Sequence, residues 1–108
     1  MSDSISGMRK YLLFSLMLAT SMAVAQDAVA NFKKQCALCH GPDGRAAVPM
    51  GKNLGAVDLT SAAVQKTSDA ELKNIISKGK GKMPAYGNSL GVKGVDELVK
   101  YVRGLGKK

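Results

Sequence analysis

The sequence predicts an all-α domain of three main helices joined by loops, and three observations lead to that prediction. Apolar residues recur at helical spacing in stretches near 28–36, 69–78 and 95–105. The chain between them is punctuated by glycine and proline and reads as loop. The third observation is Cys36-Ala37-Leu38-Cys39-His40, two thiols three positions apart followed at once by an imidazole, the pattern that covalent haem attachment requires. Each thiol can add across one porphyrin vinyl group to give a thioether, and the adjoining histidine then lies against the iron as its proximal ligand. The helices and loops are therefore expected to wrap around one covalently bound haem.

Other uses of paired cysteines fit less well. A thioredoxin-type redox motif needs a βαβ setting, and no run of alternating or β-branched character precedes Cys36. Structural zinc needs four Cys or His ligands, whereas the chain has two Cys and one His. A disulfide between Cys36 and Cys39 would leave His40 unexplained.

In chain order, residues 1–25 read as a secretory signal. Arg9 and Lys10 form a basic flank, residues 11–22 are mostly apolar, and Ala23-Val24-Ala25 is a small-residue cleavage site, with cleavage before Gln26. An apolar run of about 12 residues is short of the roughly 20 that a spanning helix needs. Residues 26–108 are then one domain with 14 basic and 7 acidic residues, a balance of +7. The only aromatic residues left are Phe32, Tyr86 and Tyr101, so a buried porphyrin would supply apolar bulk that the side chains lack. The positive charge suits an acidic partner surface. The export signal, and the lack of aromatics interleaved with the lysines, argue against nucleic acid.

Asp27 is placed to cap a first helix from about Ala28 to Cys36, with Phe32 and Cys36 on one face. Gly41-Pro42-Asp43-Gly44 is a turn cluster that bends the chain around the haem edge, and residues up to Leu59 are expected as loop. A short helical turn is expected over Ser61–Gln65. Ser68-Asp69-Ala70-Glu71 is a capping box, so a helix is expected from Asp69 to about Lys78, with Gly79 as its left-handed terminator. The last helix presents Val95, Leu98, Val99, Val102 and Leu105 as an apolar stripe. Gly91 and Gly94 leave its first turn poorly capped and expected to fray.

The face of the iron opposite His40 decides between carrier and enzyme. Four of the six methionines precede residue 26, leaving Met50 and Met83. Met83 comes after a glycine-rich hinge and is fixed on its far side by Pro84. Met50 sits between Pro49 and Gly51, and ten residues from His40 can reach about 33 Å when fully extended, so reach leaves both open.

With Cys36-Ala-Leu-Cys-His40, Gly41-Pro-Asp-Gly44, Lys82-Met83-Pro84-Ala85-Tyr86 and Leu98-Val-Lys-Tyr101-Val-Arg103, residues 27–105 resemble a class I c-type cytochrome of the small bacterial monohaem type, similar to cytochrome c6 and cytochrome c553. The resemblance implies the class I cytochrome c fold, one haem c held by Cys36 and Cys39, iron between His40 and Met83, and a first helix packed across the last through Ala28, Phe32 and Tyr101. It also implies a loop carbonyl accepting the His40 Nδ1 proton. Gly51-Lys52-Asn53-Leu54 stands where the family often has Gly-Pro-Asn-Leu, so Pro49 or Lys52 is the expected acceptor. The central tryptophan of many members is absent.

The function so implied is single-electron transfer by a soluble, monomeric, periplasmic carrier that is not an enzyme and does not insert permanently in a membrane. Lys78, Lys80, Lys82 and Lys93 would lie near the haem edge as a docking patch. One alternative is an enzyme or gas-binding protein in which Met83 dissociates, but no second histidine exists to serve an open face. Another is a binding module without redox work, such as a small subunit held in a larger respiratory complex.

Overall fold

The computed structural model describes residues 27–107, and the expected signal of residues 1–25 lies outside them. Helix α1 covers residues 27–40 and carries a change of winding in its middle. Phe32–Cys36 is a π-helical turn, closed by the Ala37 N–H donating to the Phe32 carbonyl, after which Ala37–His40 resumes α-helix. The helix therefore runs through the haem motif and does not stop near Cys36 as expected. Asp27 is already helical, so it does not stand at the half-in capping position. A π-turn inserts one residue into the ladder and re-aims the helix beyond it. Here the thiols of Cys36 and Cys39 stand at its end and just past it.

Helix α2, Pro49–Leu54, replaces part of the expected loop. Pro49 opens it, and Gly55 closes it in the left-handed region at φ 71°, ψ 34°, the usual asymmetry of proline inside the start and glycine past the end. Helix α3, Ala62–Lys66, lies one residue beyond the expected turn and is capped by Ser61, whose hydroxyl accepts from the Val64 N–H at 3.3 Å. Helix α4, Asp69–Lys78, has the expected ends. Ser68 Oγ accepts from the Glu71 N–H at 3.1 Å, and Gly79 succeeds it with φ 79° but an extended ψ of 172°. Helix α5, Gly87–Leu105, is broken at Gly91 (φ 71°, ψ 172°). The weak start therefore takes the form of a kink, and regular helix continues beyond it.

The five stripe residues Val95, Leu98, Val99, Val102 and Leu105 are all buried. Helix α1 packs on α5 through Phe32 and Tyr101, whose ring centroids are 4.7 Å apart at a 37° tilt, within the range of favourable aromatic pairs. Leu98 and Leu105 complete that cluster, with Cys36, Ala37, Leu59, Ile76 and Leu90 against it. Ala28 is buried as well.

The far end of α5 is fastened by polar side chains. Gln65 Nε2 donates to the Leu59 and Val102 carbonyls at 2.8 and 3.0 Å. Arg103 donates to the Gln65 and Thr67 carbonyls at 2.9 and 2.5 Å, and to Asp69 Oδ1 at 2.7 Å. These carbonyls end α3, where the helix itself supplies no donors. Removing the guanidinium strands them, whereas the ion pair to the exposed Asp69 carboxylate is worth little. Arg103→Ala is therefore expected to lower unfolding free energy in urea by about 2 kcal/mol, and Asp69→Asn by less than about 1 kcal/mol. Equal losses would refute a clamp that works through the carbonyls.

Candidate haem site

Cys36 and Cys39 are free thiols, both partly buried. Burial pushes the Cys36 thiol up to about 11. His40 closes α1, and Gly41 at φ 79° turns the chain away from it. The Ala46 N–H donates back to the His40 carbonyl at 2.7 Å, and the Leu59 N–H to the Gly44 carbonyl at 2.7 Å. Gly44 itself lies against α5: a Cβ there would stand 2.7 Å from the Leu105 side chain. The turn cluster thus ties the end of the motif to the core.

His40 Nδ1 donates to the Val57 carbonyl at 3.0 Å. This corrects the expected acceptor, Pro49 or Lys52. Both lie inside α2, so their carbonyls are directed along the helix axis and not at the imidazole. Val57 lies in the irregular stretch after Gly55, with its carbonyl available. In the neutral ring a proton on Nδ1 for this bond selects the tautomer whose Nε2 lone pair can face a metal. Helix α2 is held against the motif by Gly51, where any Cβ would overlap the Cys39 carbonyl oxygen.

Met83 arrives from the other side of the sequence. Lys80 and Met83 exchange backbone hydrogen bonds, N–H to carbonyl, at 3.1 and 2.9 Å, making a tight turn with Gly81 at its tip. Gly79 is required beneath it, since a Cβ would come 2.6 Å from the Met83 carbonyl oxygen. Met83 is half-buried and Met50 is 42% exposed. The Tyr86 hydroxyl donates to the Gln35 carbonyl at 3.2 Å. Burial, with Cys36 and Cys39 close by, raises the Tyr86 phenol above its ordinary value. The Met83 segment is thereby brought to the helix that carries the thiols, while Met50 belongs to the segment that holds Nδ1.

Two site features escape sequence reasoning, the Val57 acceptor and the Gln35 partner of Tyr86. Both are backbone carbonyls, which carry no residue signature. Gly51 did have a signal, a glycine just after Pro49, but it reads equally as loop punctuation.

The residues fit a covalently bound haem. Leu38 is 67% exposed, Val57 56% and Leu54 38%, and all three, with Met50, lie in the motif or in the 49–57 segment docked on it. Apolar side chains left in this position around two thiols and an oriented imidazole are what a porphyrin would cover.

The family model described as cytochrome C oxidase, cbb3-type, subunit III matches residues 23–102. The cbb3-type cytochrome c oxidase subunit FixP of Rhizobium etli is 40% identical over 77 residues, covering 69% of this chain and 25% of that protein. Subunit CcoP of Azospirillum brasilense is 29% identical over 106 residues, covering 96% of this chain and 36% of that protein. The chain thus spans about a quarter to a third of the length of the curated relatives it matches. Among solved structures, the KustC0563 c-type cytochrome superposes with a TM-score of 0.67 at 32% identity, over 72% of this chain and 95% of that one. The all-α fold and the match across most of the sequence agree: the chain belongs to the cbb3-type cytochrome c oxidase subunit III family, as a small class I c-type cytochrome with covalently bound haem c.

Proposed function

We propose that this chain transfers single electrons through a low-spin haem c, attached at Cys36 and Cys39 and ligated by His40 and Met83. The observation that carries the reading is the His40 Nδ1 to Val57 bond, which leaves Nε2 of the only histidine free beside both thiols. Met83 is preferred over Met50 on the same ground. The 49–57 segment receives Nδ1, so it stands behind the imidazole, away from the iron. The bound group would supply a reversible one-electron couple, whose potential the thioether ligand raises.

The protein's residues have plain tasks in this scheme. Val57 orients the imidazole, Gly79 and the Lys80–Met83 turn present the sulfur, and the apolar side chains from 38 to 57 exclude water from the ring. No bond-making catalysis is implied. Lys78, Lys80, Lys82 and Lys93 are exposed and would steer a carboxylate-rich redox partner toward the haem edge. We place the chain in the periplasm as a soluble monomer. No helix among the described residues is long and apolar enough to cross a membrane, which is compatible with that placement.

A second reading is favoured by the names of the relatives: the same electron transfer performed as a subunit of a cbb3-type oxidase. Recovery of the haem protein free in the exported soluble fraction supports the carrier, and recovery only with an oxidase complex supports the subunit.

Two measurements test the ligand set and the docking. Met83→Ala is expected to abolish the thioether-to-iron charge-transfer band of the oxidised protein, while Met50→Ala keeps it. A band that survives in Met83→Ala sinks the assignment. The rate of electron exchange with an acidic redox protein should fall at least about tenfold from low to high salt, and Lys80→Gln with Lys82→Gln should flatten that dependence. A salt-independent rate would remove the patch from the mechanism.

A further inference from the structure

We infer that Tyr86 is the positioning residue of the distal ligand, its hydroxyl clasping the Met83 segment onto the haem-bearing helix through the Gln35 carbonyl. The inference rests on Met83 being that ligand. Among the described residues, the 3.2 Å bond from the Tyr86 hydroxyl to Gln35 is the one hydrogen bond that joins the 79–86 segment to α1. The partners are 51 residues apart in sequence.

Every other tether of that segment runs to α4, to its own turn or into the start of α5. The Tyr86 N–H donates to the Ile76 carbonyl at 2.9 Å, and the Tyr86 carbonyl accepts from the Leu90 N–H at 3.0 Å. Gly79 seats the Met83 carbonyl. Gly81, Lys82, Pro84 and Ala85 are exposed, and a Cβ on Gly81 would meet nothing. Without the hydroxyl, hydrogen bonds refer the sulfur's segment only to α4 and the start of α5, whereas the thiols and His40 are referred to α1. With it, residue 86 is fixed to α1 as well, three positions beyond the sulfur.

The π-turn places the acceptor. Phe32 opens that turn and is locked against Tyr101, while Gln35 lies near its end, directly before Cys36. One residue advances a helix by about 100°. Phe32 and Cys36 both lie against the α5 cluster, and the inserted residue re-aims the backbone between them, where the Gln35 carbonyl meets Tyr86. Gln35 immediately precedes Cys36, so the clasp closes one residue from the first thioether position.

Exogenous imidazole competes with a thioether for the iron, so its affinity for the oxidised holoprotein reports how firmly the sulfur is held. Tyr86→Phe keeps the ring and removes only the hydroxyl. It is expected to bind imidazole about five-fold more tightly than wild type, the change one net hydrogen bond confers. Met83→Ala should bind at least about tenfold more tightly and lose the charge-transfer band. In the Met83→Ala background, Tyr86→Phe should have no further effect, because nothing is left to position. A Tyr86→Phe affinity within two-fold of wild type overturns the clasp, and so does an equal gain in both backgrounds. A Met83→Ala protein that keeps both its band and its wild-type affinity overturns the ligand assignment instead.

Discussion

The crossing of α1 over α5 at Phe32 and Tyr101 is the contact on which the rest of the structure depends. The domain has few large apolar side chains, and those it buries are concentrated on α5 and on the single face of α1 that meets it. An aromatic pair at 4.7 Å contributes beyond its buried area, and Leu98 and Leu105 fill the space around it. The thiols come four and seven residues after Phe32 on the same helix. Anything that fixes Phe32 on α5 therefore fixes where the haem can be attached.

The site is built around this crossing from three separate stretches of backbone. The motif belongs to α1 itself. The 49–57 segment is pressed onto it where Gly51 admits the Cys39 carbonyl, and it delivers Val57 to the imidazole. The 79–86 segment comes from the end of α4 and touches α1 through Tyr86. Two of these contacts run between a backbone carbonyl and a side chain, and the third depends on the absence of a side chain. Such contacts position without adding bulk, which suits a core whose remaining volume a porphyrin would fill.

The same arrangement explains which parts of the fold were legible in the sequence. Helix α4 and the stripe of α5 are written locally, in a capping box and in apolar residues spaced at 3.6, so their ends and buried faces could be read directly. The motif identified the cofactor for the same reason. Helix α2 could not be read from periodicity because six residues show none, and only Pro49 and Gly55 mark it. The π-turn was invisible because no residue pattern marks it and it answers a nonlocal demand, the meeting of Phe32 with Tyr101 on α5. The His40 acceptor was misplaced because any carbonyl can accept, and the choice of Val57 results from Pro49 and Lys52 being taken into a helix that the sequence did not announce.

The two faces of the iron are held by different kinds of bond on the proposed reading. On the His40 side, two thioethers and an adjacent ligand hold the ring to one helix permanently. On the Met83 side there is only a reversible bond from sulfur to iron, and a net hydrogen bond contributes about 1 kcal/mol. The protein accordingly concentrates its small devices there: a glycine beneath the Met83 carbonyl, a closed four-residue turn, a proline after the sulfur and a tyrosine beyond it. The same turn exposes Lys80 and Lys82 to solvent. On that reading ligand and charge are carried on one short segment, whose one hydrogen bond to the haem-bearing helix among the described residues is the Tyr86 hydroxyl.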